Sequence, residues 1–206
     1  MDTARRVLGI LLVVGLPPAI AFWLVIHPFA GWWRHLDVRV TYALLAISMI
    51  GLGVLLFAAR GLLLGLDLGT NWVLIAFGVA LYLMAVVVSL LCRGQLSLRT
   101  FAGVPEVSRA AFPGQLLRGG LYGVIRHPRY LSVILGTVGW ALVVDFLGAY
   151  VVLGVCLVGL WPMIIMEERE LANRFGPAYA EYRSRVPALM PRFRGKEAPR
   201  AGKPDA

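Results

Sequence analysis

Five stretches of the chain are almost continuously apolar: about 7–26, 40–59, 72–92, 130–144 and 149–166. The polar positions gather between them. Arg60 closes the second run, Asp145 the fourth and Glu167 the fifth. An uncharged run of about 20 residues is what an α-helix needs to cross a hydrocarbon core about 30 Å thick. The fourth run is short for this and is expected either to tilt little or to borrow part of 121–125. Pro17-Pro18 and Pro162 fall within runs and are expected to kink their helices. No internal repeat is visible. The pattern predicts an all-α integral membrane protein with about five transmembrane helices and a cytosolic C-terminal element.

Composition agrees. Of 206 residues, 59% are hydrophobic and 15% charged, and the mean hydropathy is +0.78. Soluble domains sit near 45–50% apolar and about 25% charged. A soluble enzyme, a disordered chain and a nucleic-acid binder are therefore excluded, although the formal net charge is +9. Basic residues cluster in 93–129 and 169–203, beside the apolar runs, as in cytoplasmic loops that meet anionic lipid. With five alternating spans, every Lys and Arg except Arg5, Arg6 and Arg60 falls on one side. This places the N-terminus outside and the C-terminus in the cytoplasm. Ala19-Ile20-Ala21 resembles a signal-peptidase site, but the run continues unbroken to Ile26. Cleavage would also leave the basic tail outside. Cys92 and Cys156 lie in apolar runs and read as small buried hydrophobes. With three scattered histidines they offer no metal ligand set. The chain divides into a three-helix region (1–92), a helical hairpin with a C-terminal segment (93–193) and a Pro/Gly-rich tail (194–206), expected to be disordered.

The chemistry concentrates in two segments. In 119–132, GGLYGVIRHPRYLS, Pro128 suits the first position of a helix, with His127 held extended before it. The N–H groups of Arg129, Tyr130 and Leu131 then point out of the helix start. With the guanidinium groups of Arg126 and Arg129 they form a natural site for a carboxylate or phosphate. The alternative is an ordinary basic cap at the lipid interface. In 167–191, EERELANRFGPAYAEYRSRVPALMP, Glu167 and Glu168 stand at the end of the fifth run. They are either a cation site or a solvated helix end. Leu171, Phe175, Tyr179, Tyr182 and Val186 recur on one helical face. Gly176-Pro177 interrupts that face, which predicts two short helices with Pro177 opening the second. Both segments fall on the cytoplasmic side. An anion site beside acids suits a ligand with an α-carboxylate and an α-ammonium, such as the methionine end of S-adenosylmethionine.

The combination RHP-x-Y, helical hairpin, EE-x-x-L, FG-x-x-Y-x-x-Y and VP, over about 119–191, resembles the isoprenylcysteine carboxyl methyltransferase and phospholipid methyltransferase superfamily. The resemblance implies a membrane-embedded methyltransferase that uses S-adenosylmethionine. It implies cofactor contacts from Tyr122, Arg126, His127, Pro128, Tyr130, Glu167 and Glu168, with Gly119 at the approach to the motif. Arg126 and Glu167 would position the reactants. The catalytic residues are otherwise unassigned, and no metal is implied. Ser132 stands where the family often has Gly, which suggests slightly wider helix packing there. The expected acceptor is lipophilic and entered from the membrane, most like a prenylcysteine-type carboxylate. Trp161–Met166 lacks the basic residue often found there in enzymes acting on prenylated carboxylates. The alternatives are a phospholipid or amine N-methyltransferase, a thiol S-methyltransferase and, in another class, a non-catalytic assembly or transport protein. The expected location is the inner membrane of a bacterium.

Overall fold

The computed structural model describes residues 2–26, 29–33, 35–93 and 116–191. The tail at 194–206 lies outside these residues. The elements are α1 (Asp2–Ile26), α2 (Ala30–Trp33), α3 (Val38–Ala58), α4 (Arg60–Leu63), α5 (Trp72–Arg93), a 3₁₀ turn at Gly120–Gly123, α6 (Pro128–Val144), α7 (Leu147–Phe175) and α8 (Pro177–Arg185). Among the described residues there is no strand beyond one isolated bridge between Asp67 and Phe146. Helix starts follow local chemistry. The Asp37 carboxylate accepts the Arg39 N–H at 2.8 Å, and the Asn71 side chain accepts from Val73 at 3.0 Å. Pro128 and Pro177 each open a helix, where a missing N–H costs nothing.

Among the described residues, four helices, α1, α3, α5 and α7, are long and apolar enough to span a bilayer. The fifth apolar helix, α6, has 17 residues. At 1.5 Å per residue it is about 25 Å long. It does not borrow from 121–125. His127 (φ −122°, ψ 57°) ends the helix on that side, and the upstream residues form the separate 3₁₀ turn. Its ψ falls short of the fully extended range expected before proline. The C-terminal face also differs from expectation. Leu171 and Phe175 belong to α7 itself, which continues from the membrane for 29 residues, and only the second short helix is separate. Glu-Glu-Arg-Glu-Leu-Ala consists of good helix formers and carries no stop signal. Gly176 supplies the stop, at φ 52° and ψ −127°, a conformation in which any Cβ is strained. Both α1 and α7 run continuously through their prolines.

The core lies between α1, α6 and α7, around Leu12, Val13, Ala141, Val144, Phe146 and Leu160. Helix α3 packs on α1, and α5 packs on α6. The outer faces stay apolar: Ile47 and Ile50 on α3, Val73 and Leu83 on α5, and Val155 and Val158 on α7 are all exposed. Lipid is the solvent such faces require. The α5–α6 seam depends on small residues. A Cβ on Gly78 would stand 2.6 Å from the Gly139 carbonyl oxygen, and one on Gly139 would overlap the Gly78 carbonyl. This close backbone approach is available only to glycine pairs.

A polar knot closes the end of the bundle opposite the 167–168 acids. Arg5, 3% exposed, donates to the Val144 carbonyl through Nε at 3.2 Å and Nη2 at 2.9 Å. It also reaches the Thr70 hydroxyl at 3.1 Å and the Asp67 carboxylate at 2.7 Å. A guanidinium against the last carbonyls of α6 satisfies groups with no helical partner and complements the helix dipole.

Candidate functional site

The Glu168 carboxylate is the centre of the opposite end. Arg126 donates to its Oε1 through Nε at 3.0 Å and through Nη2, and His127 Nε2 lies 3.1 Å from the same oxygen. Arg183 Nε stands 3.5 Å from Oε2. Arg126 and Glu168 are almost buried, with side chains 10% and 12% exposed, so the pair acts in a medium of low dielectric. The third Arg126 nitrogen, Nη1, donates to the Arg183 and Val186 carbonyls. Four of its five N–H groups are thus spent on protein acceptors. The main chain follows the same path: Arg126 N–H donates to Pro187 O at 2.8 Å and His127 N–H to Ala188 O at 2.9 Å. The RHP segment is therefore clamped to the chain beyond α8.

Glu167 is placed differently. Its side chain is 34% exposed, and its Oε2 stands 3.8 Å from His127 Nδ1. One buried imidazole thus lies between two carboxylates. Tyr130 meets the same imidazole edge-on at a centroid distance of 5.6 Å and packs its ring on the core. Pro128 is buried at the start of α6. Leu131 N–H is already donated to His127 O at 3.1 Å, so it does not belong to the expected outward-pointing donors. Arg129 stacks over Trp23 of α1 at 4.8 Å, and Ser132 Oγ donates to the Arg129 carbonyl at 2.8 Å.

Helix α8 covers the cluster. Tyr182 donates to the Tyr122 carbonyl at 2.6 Å, and Arg118 donates to the Ala178 carbonyl at 2.8 Å. Burial pushes the Tyr122 phenol far above its ordinary pKa, with Cys92 and the Glu167 carboxylate adding to the effect. The Tyr179 phenol is pushed up to about 12, by burial first and by Glu168 next. Both are neutral hydroxyls at any physiological pH. Among the described residues, the buried Tyr179 hydroxyl finds no hydrogen-bond partner. An open groove of about 390 Å³ lies beside it, lined by Ala172, Gly176, Tyr179, Ala180, Arg183 and Ser184.

All seven residues expected from the sequence converge here. The sequence pattern assigns no part to Arg118, Arg183 or the carbonyls of 186–188, which the structure brings to the site. The apolar periodicity marked Tyr179 and Tyr182 as a packing face, which they are, but not as hydroxyls at the site. A carbonyl acceptor leaves no trace in sequence, since every residue has one. Among the described residues no group of three or more His, Cys, Asp or Glu is arranged to hold a metal ion.

The family model described as phospholipid methyltransferase matches residues 73–178, more than half of the chain. The chain is 37% identical over 79 residues to the cobalt-zinc-cadmium resistance protein CzcN of Cupriavidus metallidurans, covering 38% of this chain and 36% of that protein. It is 30% identical over 79 residues to the nickel-cobalt-cadmium resistance protein NccN of Alcaligenes xylosoxydans xylosoxydans, covering 38% and 37%. It is 34% identical over 85 residues to methanethiol S-methyltransferase 1 of Bradyrhizobium diazoefficiens, covering 41% and 29%. The matches thus span about a third of the length of these relatives. No solved structure matches.

Proposed function

The chain belongs to the phospholipid methyltransferase family, and from that premise we propose that it is a membrane-embedded methyltransferase that takes its methyl group from S-adenosylmethionine and passes it to a lipophilic acceptor. The observation that carries the reading is the convergence of Arg126, His127, Glu167 and Glu168 at one end of the bundle, although about forty residues separate the two segments. The C-terminal segment through residue 193 supplies the acids, and 1–92 supplies the membrane frame. The basic end faces the cytoplasm and the N-terminus lies outside, in the inner membrane of a bacterium.

The residues fit an amino-acid zwitterion. Glu167, partly exposed and, among the described residues, tied at 3.8 Å to His127, is the acid left to pair with an α-ammonium. The buried Tyr179 hydroxyl, without a partner among the described residues, is a donor held in reserve for a ligand. The start of α6 beyond Pro128 and the remaining Arg126 N–H favour the α-carboxylate. Arg126 and Glu168 act through the clamp they form, which sets the position of His127 and Glu167. Tyr122, Pro128 and Tyr130 complete the wall. Bound here, the cofactor supplies a methyl group on a sulfonium, already activated for in-line transfer. Orientation then carries most of the rate, and well-aligned reactants gain on the order of 7–11 kcal/mol.

The acceptor reading is a prenylcysteine-type carboxylate, entering between α5, α6 and α7. A second reading, a small hydrophobic thiol, is favoured by the uncharged stretch Trp161–Met166 and by the likeness to a methanethiol S-methyltransferase. Calorimetric titration of S-adenosylhomocysteine into the purified protein in lipid nanodiscs tests the cofactor. Micromolar binding, weakened in Glu167→Gln, is expected, and absence of binding by folded protein overturns the reading. Methyl transfer from labelled donor to a prenylcysteine, a phosphatidylethanolamine or a short alkanethiol then separates the acceptors.

A further inference from the structure

One face of α7 is exposed along its whole length. Val151, Val155, Val158, Trp161 and Ile165 are 56%, 70%, 74%, 65% and 37% exposed. They recur at spacings of four, three, three and four, so they form a single stripe. The stripe does not stop where the apolar sequence stops. Arg169, also exposed, continues it, and Ala172 and Gly176 carry it into the groove beside Arg183. The α7 apolar run ends at Met166. At 1.5 Å per residue, Arg169 stands about 4–5 Å past that point and Ala172 about 9 Å. The headgroup layer is about 5–8 Å thick on each side of the hydrocarbon. An apolar track therefore leads to Arg169 at headgroup depth, and Arg183 stands at a similar level through its 3.5 Å contact with Glu168, one position before Arg169.

Among the described residues, the acids nearby are engaged or turned away. Glu181 pairs with Arg185 at 2.8 Å. Glu170 follows Arg169 on the helix and so projects about 100° from the stripe. The Arg183 guanidinium is 58% exposed and stands 3.5 Å from Glu168. The floor of the groove, Ala172, Gly176 and Ala180, offers apolar atoms and no carboxylate.

We propose that this face retains one anionic phospholipid, its acyl chain along Val151–Ile165 and its phosphate between Arg169 and Arg183. The lipid is a bound component and not the methyl acceptor. It would act on the site through α8: the Arg183 carbonyl accepts from Arg126, so a phosphate that fixes Arg183 also holds α8 against the Arg126–Glu168 clamp.

Native mass spectrometry of the full chain in detergent, without cofactor, tests this independently of methyl transfer. The probes are dioleoylphosphatidylglycerol and dioleoylphosphatidylcholine. One phosphatidylglycerol is expected to be retained preferentially, and Arg169→Gln and Arg183→Gln are each expected to weaken retention about five-fold. Arg60→Gln, at the other end of the bundle, is expected to leave it unchanged. Arg169→Gln keeps the test intact if Arg183→Gln disturbs the clamp. Equal retention of the two lipids, wild-type retention in Arg169→Gln, or displacement of the lipid by millimolar inorganic phosphate would each overturn the proposal.

Discussion

Arg126 and Glu168 lie 42 residues apart in the chain and meet through two nitrogens on one carboxylate oxygen. The chain runs from one partner to the other out along α6 and back along α7, which carries Glu168 itself. Removing one partner leaves a buried charge uncompensated. Arg126→Ala is expected to lower unfolding stability by about 3 kcal/mol. Arg126→Ala combined with Glu168→Gln is expected to cost clearly less than the sum of the two single changes. Reversible unfolding in mixed micelles measures both, and strict additivity would show that the pair is not coupled.

The two neighbouring acids are expected to separate cleanly. Glu167→Gln should weaken S-adenosylhomocysteine binding at least about five-fold with stability changed by less than about 0.5 kcal/mol, as for other partly exposed positions. Glu168→Gln should destabilise the protein first and affect binding as a consequence. Calorimetry paired with thermal unfolding on the same samples reads this difference, and identical behaviour of the two variants would refute it.

Tyr179→Phe removes a buried hydroxyl that has no partner among the described residues. It is expected to leave the ligand-free protein as stable or up to about 1 kcal/mol more stable. The same change is expected to weaken ligand binding several-fold. A stability loss without a binding loss would make the hydroxyl a structural group.

The helix seam offers a packing test. Gly139→Ala drives a methyl group into the Gly78 carbonyl and is expected to cost about 1–3 kcal/mol. A Cβ at Gly15 or Gly154 meets nothing within 4 Å, so alanine there should be neutral or stabilising by up to about 1 kcal/mol.

At the opposite end, Arg5→Ala strands the Val144 carbonyl and is expected to destabilise by about 2–3 kcal/mol. The Asp67 pKa is lowered, first by the Gly69 N–H and then, against some desolvation, by the Arg5 guanidinium. A depressed folded pKa contributes stability above the ordinary carboxylate pKa of 3.8 and loses it as pH falls through the folded value. Asp67→Asn is therefore expected to flatten the acid limb of the stability–pH curve below about pH 4, and an unchanged limb would exclude this contribution.

The five apolar runs, the helix starts at Pro128 and Pro177 and the break at Gly176 were legible in the chain itself, because hydropathy and backbone restriction are local properties. The motif residues were legible as well, since RHP-x-Y and the paired acids stand at recognisable spacings. Tertiary structure decided their partners. Arg126 is directed to Glu168 and to the carbonyls of Arg183 and Val186, and Glu167 is left partly open. Arg5, which looks from the sequence like a stray positive charge at the wrong end, is the buried cap of α6. The physical reason is the same in each case. An arginine advertises a charge in sequence, but its partner depends on which carboxylates and helix-end carbonyls come within 3 Å. Only the packing of distant helices sets that distance.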